Sequence, residues 1–232
     1  MTDKPILFSG PMVRALLEGR KTQTRRVLPV QPSFDEVAEM QIGGATCDPV
    51  AFPDRPYVWL NGWDGSVVGP IINPPRIIQG DRLYVREAWR TGMHIDNRAP
   101  RDIMPFVTVF YESDGEFIRG GNRLSKALNQ DELGKFRQAM HMPRWASRLT
   151  LLVTDVRVQR LPEISEQDAI AEGCKGYVSN DGEDGESPIE EFQALWNTLN
   201  TERGYGWATN PWVVAYSFEV IKSNIDQIEQ VA

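Results

Sequence analysis

An amine, a hydroxyl and a carboxylate are the groups with which this 232-residue chain could do chemistry. Lys21 and Thr24 stand in Gly19-Arg20-Lys21-Thr22-Gln23-Thr24-Arg25-Arg26, where three arginines surround them. Glu87 lies far downstream, in Gly80-Asp81-Arg82-Leu83-Tyr84-Val85-Arg86-Glu87-Ala88-Trp89. A threonine hydroxyl becomes a nucleophile only when a base removes its proton, and a neutral lysine amine can be that base. Glu87 could then protonate a departing amine as general acid, with Arg26 or backbone amides steadying the oxyanion. The same groups can hold an electron-rich ring without reacting. Arg20, Thr22, Arg25, Arg26 and Arg86 would then contact the ligand or its phosphates. Trp89, Trp145, Trp207 and Trp212 are candidates to stack on it. Of these, Trp207 sits in the turn-rich run Gly204-Tyr205-Gly206-Trp207-Ala208-Thr209-Asn210-Pro211, the best loop position. Against both readings stands an ordinary structural one, in which Lys21 and Arg25 are surface charges and Glu87 is their ion-pair partner.

Other chemistries lack their residues. His94, His141, Cys47 and Cys174 are the strong nitrogen and sulfur ligands, and no two share a zinc-site spacing. No metal and no cofactor is expected. The chain has no Gly-x-Ser-x-Gly elbow, no Walker phosphate loop and no Gly-x-Gly-x-x-Gly fingerprint. Ribonuclease action is weaker still, because no well-placed histidine pair is visible.

The elements that must position these groups are legible in part. Pro5 to Ser9 reads as a short strand, and Pro11 opens a helix whose apolar positions are Met12, Val13, Leu16 and Leu17, with Gly19 as its stop. Residues 21–28 alternate as a strand would. In a regular strand, positions 21 and 24 face opposite ways. Cooperation therefore requires a bulge near Thr22-Gln23, or Lys21 reaching round from the turn after Gly19. Further strands are expected at 57–60, 82–89, 107–111, 148–159 and 212–221, with a change of phase near Asp155. A polar stretch from Ser125 to Gln138 reads as peripheral helix. Ser165-Glu166-Gln167-Asp168 and Ser187-Pro188-Ile189-Glu190 have helix-start chemistry. The second helix is expected to bury Phe192, Leu195, Trp196 and Leu199.

Composition bounds the rest. With 41% hydrophobic and 25% charged residues the chain is an ordinary globular one. A net charge of −7 excludes a protein that coats nucleic acid non-specifically. That charge is segregated: Arg14 to Arg26 form a basic end, and Asp181 to Glu186 an acidic run. No apolar run approaches the roughly 20 residues of a membrane span, and no signal peptide is evident. A cytoplasmic protein with no membrane partner is the expectation. Nothing in the sequence specifies an oligomeric state.

Strand, Pro-led helix, Gly-Arg-Lys-Thr-x-Thr-Arg-Arg and then Gly-Asp-x-Leu-x-Val-Arg-Glu together resemble the ASCH domain family, part of the PUA-like superfamily. The resemblance covers residues 5–28, 80–90 and the strands at 148–160 and 212–221. Met142-Pro143-Arg144-Trp145-Ala146-Ser147-Arg148 and Asn210-Pro211-Trp212-Val213 look like the long, phage or prophage type of member. The resemblance implies an α+β fold, a PUA-like mixed β-barrel with short peripheral helices. One domain would span 1–232, enlarged by loop-rich insertions at 29–79 and 91–145. It implies a nucleoside, nucleobase or RNA ligand. Small members include N4-acetylcytidine amidohydrolases, whose lysine, threonine and carboxylate match Lys21, Thr24 and Glu87. Non-catalytic recognition of RNA or a modified base is the alternative.

Overall fold

A computed structural model describes residues 2–28, 31, 60–61, 67–68, 76–119, 122–123, 130–178 and 185–228. The expected strand at Tyr57-Val58-Trp59, Cys47, most of the 29–79 insertion, Ser125 to Asn129 and most of the acidic run lie outside them.

The principal elements are β1 (Asp3–Leu7), α1 (Gly10–Leu17), β2 (Gln23–Val27), β3 (Arg82–Arg86), β4 (Trp89–Arg90), β5 (Thr108–Tyr111), β6 (Phe117–Arg119), β7 (Asn122–Arg123), β8 (Thr150–Arg160), α2 (Glu166–Ala171), α3 (Pro188–Asn200) and β9 (Trp212–Ile221). Five of them hydrogen-bond in the order β1-β3-β8-β9-β2. The sheet is mixed: β1 runs parallel to β3, whereas β8 is antiparallel to β3 and β9 is antiparallel to β2. An α+β fold is therefore present. Among the described residues no pairing closes this sheet into a barrel, and no helix is long and apolar enough to cross a membrane.

The chain divides into two compact units, residues 1–21, 80–153 and 218–232 in the first, and 22–79 with 154–217 in the second. The change of phase expected near Asp155 falls where β8 passes from one unit to the other, between Val153 and Thr154.

In the first unit, α1 starts at Ser9 in extended backbone, with Pro11 in its first turn, and buries Val13, Ala15 and Leu16. Gly19 reverses the chain at φ 75°, a conformation that a Cβ disfavours. The amides of Arg20 and Lys21 then both donate to the Ala15 carbonyl, at 2.9 and 3.1 Å. Lys21 thus belongs to the helix terminus, not to the strand, and β2 begins only at Gln23. Strand alternation places no constraint on Lys21. Gly80 makes a second left-handed turn at φ 84°, and Asp81, wholly buried, accepts from the Thr2 amide, the Thr2 hydroxyl and Lys4. The Gly-Asp pair of the motif is accordingly a structural clasp between the start of β3 and the N-terminal strand.

Much of the 91–145 segment is also built into this unit. Strands β4 to β7 form an antiparallel sheet, packed into a core of Trp89, Ile95, Ile103, Val109, Tyr111, Met142 and Ala146. At Gln130–Glu132 the expected polar helix is a single 3-10 turn. Arg144 bonds both Asp3 and Asp226, and the Asn224 side-chain amide donates to the carbonyls of Arg144, Trp145 and Ser147.

In the second unit, Leu161, Ile164, Ala169, Cys174, Phe192, Trp196 and Val213 form one core cluster, and Leu28, Val214 and Tyr216 another. Ser165 caps α2 by accepting from the Asp168 amide, and Ser187 and Glu190 form a reciprocal capping box on α3. Phe192 and Trp196 are buried as expected from helical spacing, but Leu195 and Leu199 are 38% and 49% exposed. The correction has a simple cause: the buried stripe of α3 is narrow, Pro188-Phe192-Trp196-Asn200, and positions 195 and 199 lie on its flank.

Candidate functional site

Glu87 directly follows β3 and is 1% exposed. Its carboxylate is gripped in parallel by Arg148, Nε to Oε1 at 2.9 Å and Nη2 to Oε2 at 3.0 Å. The Ser113 hydroxyl donates to the same Oε2. Paired N–H donors on a carboxylate form the strongest geometry available to an arginine. The guanidinium does not stop there. Its Nη1 reaches Asp114 at 2.8 Å and Glu116 at 3.0 Å, and its Nη2 also reaches Asp114 at 3.0 Å. It lies 4.0 Å over the Tyr111 ring, whose hydroxyl donates to the Ala146 carbonyl at 2.7 Å.

Charge and burial compete here. Burial opposes the charge on Arg148, yet the bonds and charge of Glu87, then those of Asp114, outweigh it and raise the guanidinium above its ordinary range. Burial pushes the Tyr111 phenol upward, Arg148 opposes, and Glu87 and Asp114 add to the rise. Arg148 and Ser113 were not singled out as site residues from the sequence. The signal was present: Arg148 closes the Met142-to-Arg148 motif, and Ser113 opens a Ser-Asp-Gly turn.

The other expected residues sit as follows. Lys21 is 1% exposed, with Nζ 5.8 Å from the centroid of the Phe8 ring. Thr24, in β2 of the second unit, is also 1% exposed, and its hydroxyl accepts from Arg26 Nη1 at 3.1 Å. Arg25, 2% exposed, is bound to Asp168, Glu172 and Gln23. Burial lowers the Arg26 guanidinium from its usual value, against the charges of Glu172 and Tyr216. The Tyr216 hydroxyl is pushed up to about 12 by burial, with Arg26 opposing. Arg20 pairs with Glu18 on the surface, and Thr22 is exposed, its amide bonded to the Ala171 carbonyl. Arg86 donates to the Met140 carbonyl and to the Tyr84 hydroxyl.

The structure thus brings Thr24 together with Arg26, Arg25 with two acids, and Glu87 with Arg148. The reading of Lys21 and Arg25 as surface charges is corrected, since both are buried. Trp89 is fully buried in the core beneath Arg137, so its ring has no face to offer a ligand. Trp207, partly buried, packs edge-on against Phe192, centroids 6.3 Å apart, at the margin of the second unit's core. Turn-rich sequence marks a loop position there, and the ring spends part of its surface on a core neighbour. Among the described residues no group of three or more His, Cys, Asp or Glu is arranged to hold a metal ion.

Comparison with known proteins returns no matching family model, no matching curated protein and no matching solved structure.

Proposed function

We propose that this is an ASCH-type, PUA-like protein that binds a nucleobase, nucleoside or RNA ligand and hydrolyses an N4-acylcytidine-like amide. In this proposal Lys21 is the base, Thr24 the nucleophile and Glu87 the acid. The single observation that supports it is burial. Lys21, Thr24 and Glu87 are each 1% exposed, and a lysine amine is rarely withdrawn from water to serve as a mere solubilising charge. The test is ultraviolet-monitored turnover of N4-acetylcytidine by wild type, Lys21→Ala and Thr24→Ala. Wild-type turnover falling by about two to four orders of magnitude in Lys21→Ala is the expected result. Equal turnover in all three refutes it.

A second reading, non-catalytic recognition of RNA or a modified base, is favoured by a different observation. Both oxygens of Glu87 already accept hydrogen bonds, from Arg148 and from Ser113, which suits a scaffold role better than proton donation. Absence of turnover, together with micromolar RNA binding that weakens steeply with salt, would select it.

A further inference from the structure

The first unit contains a cleft of about 890 Å3 that is lined by none of Lys21, Thr24 and Glu87. Its size lies within the range of sites that take small organic ligands, roughly 300 to 1,000 Å3. One wall is apolar and partly aromatic, built from Val107, Val109, Tyr111, Ile118 and Trp145. Pro105 also lines it, and the two neighbours of that proline, Met104 and Phe106, are 55% and 67% exposed.

The polar part is unusual in its sign. Asp114, Glu116 and Arg148 line the cleft, and Arg148 is bound by three carboxylates, those of Glu87, Asp114 and Glu116. A guanidinium has five N–H donors in a fixed fork. Here Nε is committed to Glu87, Nη1 to Asp114 and Glu116, and Nη2 to Glu87, Asp114 and Ser113. The arginine is therefore saturated and has no fork to offer a phosphate. Asp114 and Glu116 add carboxylate oxygens to the lining, and a carboxylate has about four acceptor sites, more than its bonds to Arg148 use. Asp226, which also lines the cleft, is matched by Arg144, and Lys222 is an exposed ammonium on the lining.

We infer that this cleft binds a flat aromatic amine, neutral or cationic, and rejects phosphorylated ligands. The ring lies against Trp145, the partly buried aromatic of that wall, and its amino group donates to Asp114 and Glu116. Glu87 acts here as a positioning residue: it holds Arg148, which in turn fixes Asp114 and Glu116. This goes beyond the proposed function, because any ring with amino donors qualifies and no hydrolysis is required.

The test uses p-aminobenzamidine, cytidine and cytidine 5′-monophosphate, titrated calorimetrically into the full chain. Wild type is expected to bind p-aminobenzamidine. Trp145→Ala weakens that binding about tenfold or more through lost stacking, and Glu116→Gln about tenfold through a lost charge-assisted bond. Glu116 is only partly buried, so its variant decides the matter if Trp145→Ala does not fold. Leu199→Lys, at an exposed position outside the cleft lining, leaves p-aminobenzamidine binding within about twofold. Cytidine 5′-monophosphate binds no more tightly than cytidine. Failure of folded wild type to bind p-aminobenzamidine overturns the inference, as does binding that ignores both cleft substitutions. Tighter binding of the phosphorylated nucleoside, lost in Trp145→Ala, overturns the phosphate rejection. Binding of p-aminobenzamidine without any nucleoside binding supports the cleft and counts against the nucleobase reading. Turnover of N4-acetylcytidine without p-aminobenzamidine binding does the reverse.

Discussion

Replacing Arg148 by methionine tests the ion cluster, because the side chain keeps an unbranched apolar stem and loses the guanidinium with its charge and donors. In wild type the Arg148 side chain is 7% exposed and that of Glu87 2%, so neither charge is well screened by water. The variant removes two parallel bonds to Glu87 and leaves that carboxylate buried, with Ser113 still donating to it. It also leaves Asp114 and Glu116 without the cation they share. Breaking one side of a buried pair typically costs about 3–5 kcal/mol, mostly from the orphaned charge. For a chain of this size each kcal/mol lowers Tm by about 2–4 °C, so Tm should fall by roughly 6–20 °C. Urea unfolding followed by tryptophan fluorescence gives the free energy, and the double variant Glu87→Gln/Arg148→Met should recover part of the loss. A deficit below about 1 kcal/mol, the value of an exposed pair, would refute the view that this cluster organises the unit. So would strictly additive losses in the double variant.

Acid should weaken the fold through two carboxylates. Asp3 and Asp168 both have folded values below the ordinary 3.8: burial raises them, but Arg144 and Arg82 at Asp3, and Arg157, Gln23 and Arg25 at Asp168, outweigh it. Groups depressed in the folded state contribute stability that is fully present above 3.8 and lost as pH falls through the folded values. Asp168→Asn should therefore flatten the acid limb of a Tm-versus-pH curve below about pH 4 and lower Tm at neutral pH. An unchanged acid limb contradicts this. Asn224→Ala removes three donations to the 144–147 turn. A loss of about 1–3 kcal/mol is expected in chemical denaturation, with p-aminobenzamidine affinity falling as the cleft wall loosens. Leu199→Lys, at a position 49% exposed, should change stability by no more than about 0.5 kcal/mol. A loss near 2 kcal/mol would return Leu199 to the core that helical spacing assigned it.

Local chemistry made some of these features legible along the chain. Pro11 and Gly19 bracket α1 because one has no N–H to lose and the other accepts a positive φ. Ser165 and Ser187 announce α2 and α3 because a hydroxyl there satisfies an amide that the helix cannot. Alternating apolar residues likewise mark β3, β8 and β9, since each strand has faces that differ in burial. The opposition of positions 21 and 24 also follows from alternation alone, but it lapses because two amides bonded to Ala15 keep Lys21 out of β2.

What partners a buried charge is a different kind of information. Glu87 meets Arg148 across 61 positions of sequence, and Ser113 across 26. Composition showed that acids and arginines were abundant, not which of them would share a dry site. Trp89 and Trp207 show the same division. Residue type says that a tryptophan will find an apolar surface, and only packing decides whether that surface is a ligand or the protein's own core. Neighbours within a turn mark the ends of α1, α2 and α3, the strand periodicity and the motif residues. Tertiary structure alone decided the burial of Lys21, the saturation of Arg148 and the existence of the cleft. Each depends on which distant segments exclude water together.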